Sequence, residues 1–145
     1  MDIRLAVYTD GASRGNPGPS ASGYVVYKDG RMIREYAEYN GTNTNNYSEY
    51  KAMLLALEWC SKNQSNAKDI EIMLFSDSKL IVSQLNSLYK TKDTKLKVLN
   101  NRVKELARNF KKVTFVNKPR NYRGIKIVDR ALNKLLDNNA TANTL

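Results

Sequence analysis

The sequence predicts an α/β domain with a five-stranded mixed sheet and helices on its faces. Apolar and alternating segments indicate strands and helices in the order βββαβααβα along the 145 residues. The segment Ile70–Phe75 is almost wholly apolar, as is typical of a strand covered on both faces. Thr94–Phe110 repeats apolar residues at helical spacing. A strand meander followed by β-α-β crossovers therefore predicts that strands 1, 4 and 5 run parallel.

The first three strands are expected to form the antiparallel part of the sheet. They are predicted at Ile3–Thr9, Gly23–Lys28 and Arg31–Tyr39. Asp29 and Gly30 form a two-residue turn of the kind that hairpins prefer. Residues 40–47 are polar and are predicted to be a loop leading into the first helix.

The rest of the chain alternates helices with two further strands. A basic loop is expected at 118–126, and the small polar segment 138–145 is expected to be a flexible tail. The folded domain is therefore predicted to cover residues 1–137. The elements predicted between these points are a helix at Ser48–Asn63, a strand at Ile70–Phe75, helices at Ser78–Asn86 and Thr94–Phe110, a strand at Lys111–Asn117 and a helix at Ile127–Asp137.

Composition limits the chemistry. Lys and Arg number 24 against 14 Asp and Glu, and the net charge of +10 suggests a polyanionic partner, although it could also serve solubility. The absence of histidine excludes Ser-His catalysis and histidine-ligated metals. The single Cys60 excludes an internal disulfide and is expected to be a small core residue. With no long apolar run and no recognisable leader, we expect a cytoplasmic protein.

Four acidic residues stand at positions that the topology could bring together. Asp10 and Asp77 follow predicted parallel strands, while Glu49 and Asp129 fall in the predicted first turns of helices. Each alone could be structural, as a turn residue or as a partner of the helix dipole. Together they would repel one another unless a hard divalent cation, Mg²⁺ or Mn²⁺, lay among them.

Four segments contain the four acids. They are Tyr-Thr-Asp-Gly-Ala-Ser-Arg-Gly-Asn-Pro-Gly at 8–18, Thr-Asn-Asn-Tyr-Ser-Glu-Tyr at 44–50, Phe-Ser-Asp-Ser-Lys-Leu-Ile-Val-Ser-Gln-Leu at 75–85 and Val-Asp-Arg-Ala-Leu-Asn at 128–133. In this order they resemble the motifs of type 1 ribonuclease H, and the likeness covers residues 3–137. The chain lacks the family's loop histidine and basic protrusion, and in this it is similar to archaeal members. The resemblance implies the ribonuclease H-like fold, a five-stranded mixed sheet of order 3-2-1-4-5.

The resemblance also implies an activity: endonucleolytic hydrolysis of the RNA strand of RNA–DNA hybrids, leaving 5′-phosphate and 3′-hydroxyl ends. Two Mg²⁺ ions, replaceable by Mn²⁺, would act in catalysis. Arg120 is the candidate for the place of the missing histidine, with Arg123 second, although this loop could simply be solvated. The residues implied as both metal ligands and catalytic groups are Asp10, Glu49, Asp77 and Asp129.

Substrate contacts are implied at matching positions, although several of these residue types are also common in turns. Amide and hydroxyl groups suit recognition of an RNA 2′-hydroxyl. We expect a monomer that binds the hybrid. The alternatives are a catalytically weak hybrid-binding module of the same fold, or a related nuclease or integrase acting on DNA. The implied substrate-binding residues are Asn16, Thr44, Asn45, Asn46, Lys79, Gln84 and Lys90.

Overall fold

The computed structural model describes residues 2–64 and 66–144 and shows a five-stranded sheet of order β3-β2-β1-β4-β5. This confirms the predicted topology. β1 pairs with β2, and β2 with β3, in antiparallel fashion, whereas β1–β4 and β4–β5 are parallel. The strands are β1 (Ile3–Ser13), β2 (Gly18–Lys28), β3 (Arg31–Asn43), β4 (Ile70–Ser76) and β5 (Lys112–Asn117).

Four α-helices complete the fold within the described residues: α1 (Asn45–Asn63), α2 (Lys79–Leu85), α3 (Thr94–Ala107) and α4 (Arg123–Thr144), with a short 3₁₀ helix at Ala67–Asp69. Side-chain caps fix the starts of three of them. The Thr44, Ser78 and Asp93 side chains accept hydrogen bonds from backbone N–H groups of the first turns of α1, α2 and α3. No helix within 2–64 or 66–144 is both long and apolar enough to cross a bilayer.

The sheet separates two apolar clusters of unequal size. The larger lies between the sheet and helices α1–α3, and it contains the fully buried Cys60, as predicted. The smaller cluster joins β2 to α4. Its buried members are Ala21, Val25, Val128, Leu132 and Leu136.

Several strands extend beyond their predicted bounds. β1 continues past Thr9 to Ser13 and β2 begins at Gly18, because Asp10–Ser13 pair with Ser20–Gly23. β3 likewise continues past its predicted end at Tyr39, because its last residues pair with the start of β2. Backbone pairing has here overridden the weak strand preference of glycine, alanine and serine.

Two helices begin earlier than predicted. α1 starts at Asn45 and α4 at Arg123, so Glu49 and Asp129 lie in second turns, and their predicted place in first turns is wrong. α4 also continues past Asp137 to Thr144, which corrects its predicted end; α3, in contrast, ends at Ala107. Because dipole effects fade beyond the first turn, stabilisation of the helix start does not explain Glu49 or Asp129.

Candidate active site

Asp10 and Asp77 lie where two parallel strands separate. The β1–β4 ladder ends at the pair Tyr8 and Phe75. Beyond it, β1 continues beside β2 alone, and β4 ends at Ser76, immediately before Asp77. Both carboxylates therefore stand at the carboxyl ends of neighbouring strands, the edge at which open α/β sheets bind ligands.

Because Gly11 has no side chain, Glu49 can lie close to Asp10 and Asp77. A Cβ atom at position 11 would overlap the backbone of Ser48 and Glu49, so only glycine lets α1 approach β1 this closely. As a result, one carboxylate oxygen each from Asp10, Glu49 and Asp77 lies within 4.8 Å of the others. The structure thus assembles three of the four predicted acids into one group.

Burial and mutual repulsion dominate the electrostatics of this group. Asp10 is 1% exposed, and burial, reinforced by the charges of Asp77 and Asp129, raises the pKa of its carboxyl to about 8. Burial, with the charges of Asp10 and Asp77, raises the pKa of Glu49 well above its usual value. Burial also raises the pKa of Asp77. Without a bound cation, the Asp10 carboxyl would therefore keep its proton at neutral pH, where an ordinary aspartate is ionised.

One oxygen of the cluster lacks a donor. Asp10 Oδ1 accepts a hydrogen bond from the backbone N–H of Gly11 at 3.0 Å. Asp10 Oδ2 is buried without a hydrogen-bond partner among the described residues. The carboxyls of Glu49 and Asp129 are near enough to share a proton with Asp10, so this oxygen lacks a donor whenever the neighbouring carboxyls are ionised.

These features fit a hard divalent cation. A cation would give the orphaned oxygen a partner, and it would offset both the burial of charge and the mutual repulsion that raise the pKa values of the cluster. The oxygen-only donor set, with neither histidine nor cysteine, suits Mg²⁺ or Mn²⁺ better than Zn²⁺. Asp10, Glu49 and Asp77 are the residues that could hold such an ion.

Arg120 connects Asp129 to the cluster. Its Nε lies 3.7 Å from Asp77 Oδ2, and its Nη2 lies 3.9 Å from Asp129 Oδ1. Its positive charge opposes the rise in the pKa of Asp77. Arg123, the second candidate for this role, instead lines a neighbouring cavity with Tyr8 and Tyr122.

Asn133 was not among the predicted site residues, yet it contacts Asp129. Its Nδ2 donates to the Asp129 backbone oxygen at 3.1 Å and to Asp129 Oδ2 at 3.3 Å. Arg14 holds Asn133 in turn, because its Nη2 donates to the Asn133 backbone oxygen at 3.2 Å. The spacing of four residues on one helix is the sequence signal that could have identified Asn133.

A model of the RNase H family matches residues 2–127. The chain belongs to the RNase H family. It is 37% identical over 132 residues to ribonuclease HI of Halobacterium salinarum, a match covering 89% of this chain and 64% of that relative. This chain therefore spans less than two thirds of that relative's length.

Solved RNase H structures share the fold over nearly the whole chain. The crystal structure of RNase H1 from Halobacterium salinarum superposes with a TM-score of 0.84 at 35% identity, covering 93% of this chain and 98% of that one. LC11-RNase H1, isolated from compost, was crystallised in complex with an RNA/DNA hybrid. That complex gives a TM-score of 0.75 at 33% identity, covering 91% of this chain and 99% of that one.

In this RNase H chain, two of the predicted substrate-binding amides also hold the site together. Asn45 Oδ1 accepts from the Ser13 N–H at 2.8 Å, and Asn16 Oδ1 accepts from the Asn45 N–H at 3.1 Å. Since both amide oxygens are engaged, the Nδ2 groups are the atoms that could donate to a substrate. Asn16, Thr44 and Asn46 line a cavity of about 690 Å³. Thr44 also caps α1.

The other predicted substrate-binding residues lie along α2 and the segment after it. Lys79 is exposed at the start of α2, and Lys90 is exposed beyond its end. Gln84, in contrast, is only 6% exposed, and its Oε1 accepts a hydrogen bond from the Tyr50 hydroxyl at 2.6 Å. Gln84 and Lys90 nevertheless line the same cavity, of about 510 Å³.

Proposed function

We propose that this chain is a metal-dependent endoribonuclease that hydrolyses the RNA strand of RNA–DNA hybrids. The observation that carries the proposal is the carboxylate group within 4.8 Å, built around a buried oxygen that lacks a donor. A protein that only bound nucleic acid would gain nothing from a cluster that raises its own pKa values and repels phosphate.

Each acid has a proposed role in holding Mg²⁺, for which Mn²⁺ would substitute. Asp10, Glu49 and Asp77 would hold one of two ions, and Asp10 together with Asp129 the other. When bound, such ions polarise a phosphoryl oxygen and lower the pKa of water. Arg120, which lies between Asp77 and Asp129, would offset the negative charge of both carboxylates and would favour the ionised form of Asp77.

The polar and basic side chains that line the two cavities described above would favour a hybrid over other duplexes. The amide donors of Asn16 and Asn45, with Thr44 and Asn46, would bond to the minor groove and to RNA 2′-hydroxyls, which DNA lacks. Lys79, Gln84 and Lys90 would contact the DNA strand. The net charge of +10 supports phosphate binding without base specificity.

A cleavage assay tests the proposal. The protein is incubated with an RNA–DNA hybrid, an RNA duplex and a DNA duplex, each with Mg²⁺, with Mn²⁺ or with EDTA. We expect metal-dependent cleavage of the hybrid's RNA strand alone, leaving 5′-phosphate and 3′-hydroxyl ends.

Matched variants sharpen this assay. Asp10→Asn should abolish cleavage, whereas Asp2→Asn, the same change at an exposed carboxyl paired with Lys111, should not alter it. Binding without cleavage would identify the chain as a hybrid-binding module. Cleavage of duplex DNA would identify it as a DNA nuclease. A monomeric state and a cytoplasmic location stay predictions.

A further inference from the structure

Three aromatic side chains stack beside the carboxylate cluster. The rings of Tyr8 and Phe75 are 4.8 Å apart at 13°, and those of Phe75 and Tyr122 are 5.8 Å apart at 26°. Tyr27 meets Tyr8 edge-on at 5.8 Å. Gly124 makes this arrangement possible, because a Cβ atom there would overlap the Tyr8 ring.

The rings of Tyr8, Tyr27 and Tyr122 line an open cavity of about 440 Å³, which we call the aromatic cavity. Tyr122 is 37% exposed, so its ring is accessible to a ligand. Flat, accessible aromatic walls bind other flat rings by stacking. The residues lining the aromatic cavity are Tyr8, Tyr27, Gly30, Tyr122, Arg123 and Gly124.

The aromatic cavity is next to the acids. Tyr8 precedes Asp10 by two residues on β1, which places the two side chains on one face of the sheet about 7 Å apart along the strand. Phe75 stands in the same relation to Asp77, and Tyr122 follows Arg120 by two residues. A nucleotide next to a phosphate bound at the acids could therefore reach the rings.

The charged side chains at the aromatic cavity indicate which kind of flat ligand it would bind. The Lys118 ammonium group lies 5.3 Å from the centroid of the Tyr122 ring, and Arg123 contributes a second cation. These cations disfavour the positively charged ligands that aromatic cages otherwise bind, and they favour an anion. A nucleotide combines a flat, uncharged base with an anionic phosphate, and so it matches both the aromatic rings and the cations.

We propose that the aromatic cavity is a subsite for an unpaired RNA base, which stacks on Tyr122 while Arg123 and Lys118 face its phosphate. This rests on the proposed function, because the strand whose phosphate lies at the acids is then the RNA strand. The subsite would favour hybrids whose RNA strand extends as a single strand beyond the DNA. Stacking of a base on an aromatic side chain is sequence-tolerant, so no base preference is expected.

The test compares binding of matched hybrids. A blunt hybrid is compared with two hybrids whose RNA strand carries a single-stranded overhang, at the 5′ end in one and at the 3′ end in the other. A further hybrid has the same overhang on the DNA strand, and another has an RNA overhang of abasic nucleotides. Dissociation constants are measured in EDTA for the wild type and for the Tyr122→Ala and Tyr122→Phe variants. For each variant, the affinity for an overhang hybrid is divided by the affinity for the blunt hybrid. An effect of the substitution on the carboxylate cluster changes both affinities and therefore cancels in this ratio.

We expect the wild type to bind one of the RNA-overhang hybrids at least about fivefold more tightly than the blunt hybrid. Tyr122→Ala and the abasic overhang should abolish this preference, and Tyr122→Phe should keep it. A 2-aminopurine placed in the overhang should lose fluorescence on binding to the wild type but not to Tyr122→Ala.

Four outcomes would overturn the inference: no preference for either RNA overhang, an equal preference for the DNA overhang, a preference kept by the abasic overhang, or one unaffected by Tyr122→Ala. The same preparation is assayed for cleavage of the blunt hybrid with Mg²⁺. Cleavage without an overhang preference refutes the subsite alone, whereas an overhang preference without cleavage refutes the proposed function alone.

Discussion

Replacing Asp10 with asparagine should stabilise the metal-free protein at neutral pH. The carboxyl has a pKa near 3.8 when unfolded and about 8 when folded, because of burial and the neighbouring charges of Asp77 and Asp129. Between these values the unfolded chain has lost a proton that the folded chain retains. The free energy of unfolding therefore falls as pH rises from about 4 to about 8.

The size of the effect follows from the pKa difference. At pH 7, about three pH units above the unfolded pKa, the penalty is at most about 4 kcal/mol, at about 1.4 kcal/mol per unit. Asparagine has nearly the same shape and no charge, and its amide can donate to the carboxylates of Glu49 and Asp129. We expect Asp10→Asn to gain about 2–4 kcal/mol at pH 7, or about 10 °C in Tm, and almost nothing below pH 4.

Urea unfolding in EDTA, followed by circular dichroism at several pH values between 3 and 8, measures this gain. The control is Asp2→Asn, because the pKa of that exposed carboxyl is lowered by its hydrogen bond to Lys111, and its removal should not stabilise the fold. Adding Mg²⁺ should raise the stability of the wild type more than that of Asp10→Asn. Equal urea midpoints for Asp10→Asn and the wild type at pH 7 and 8 would refute the reasoning.

Three further predictions concern other parts of the molecule. Arg120→Ala should move the acidic limb of the pH–rate profile to higher pH, because the guanidinium opposes the rise in the pKa of Asp77; Arg123→Ala should leave that limb in place. Tyr50→Phe should lower the free energy of unfolding by about 1–3 kcal/mol in urea titrations, because the hydroxyl bonds to two buried amides. Lys90→Ala should reduce the slope of log Kd against log salt by about one for the hybrid, and an unchanged slope would exclude a phosphate contact.

The pattern of apolar residues was sufficient to predict which strands run parallel and where Asp10 and Asp77 lie, whereas the full strand order came from the family resemblance. The parallel strands could be predicted because Ile70–Phe75 is almost wholly apolar. The positions of Asp10 and Asp77 at the ends of those strands follow from this prediction. The convergence of Glu49 depended on the family motifs. Its physical cause, the close approach of α1 at Gly11, is visible only in three dimensions.

Element bounds near the site were harder to predict, for a physical reason. Asp10–Ser13 resembles a turn in composition, yet it forms strand because β2 supplies its hydrogen-bond partners. Gly124 weakens the helical pattern at the start of α4. Its structural role, which is to let the helix pack against the Tyr8 ring, is visible only in three dimensions. The amide contacts of Asn16, Asn45 and Gln84 depend on side-chain placement, which no local pattern encodes.

The unequal clusters on the two faces of the sheet have a consequence for inactivation. Asp129 and Asn133 sit on α4, which is secured mainly by the smaller cluster, whereas Asp10, Glu49 and Asp77 belong to elements anchored in the larger one. Detachment of α4 would remove one acid while leaving the main core intact. Mild heating should therefore abolish the proposed activity reversibly before the larger cluster unfolds. The detachment of α4 would then limit the temperature at which the protein is active.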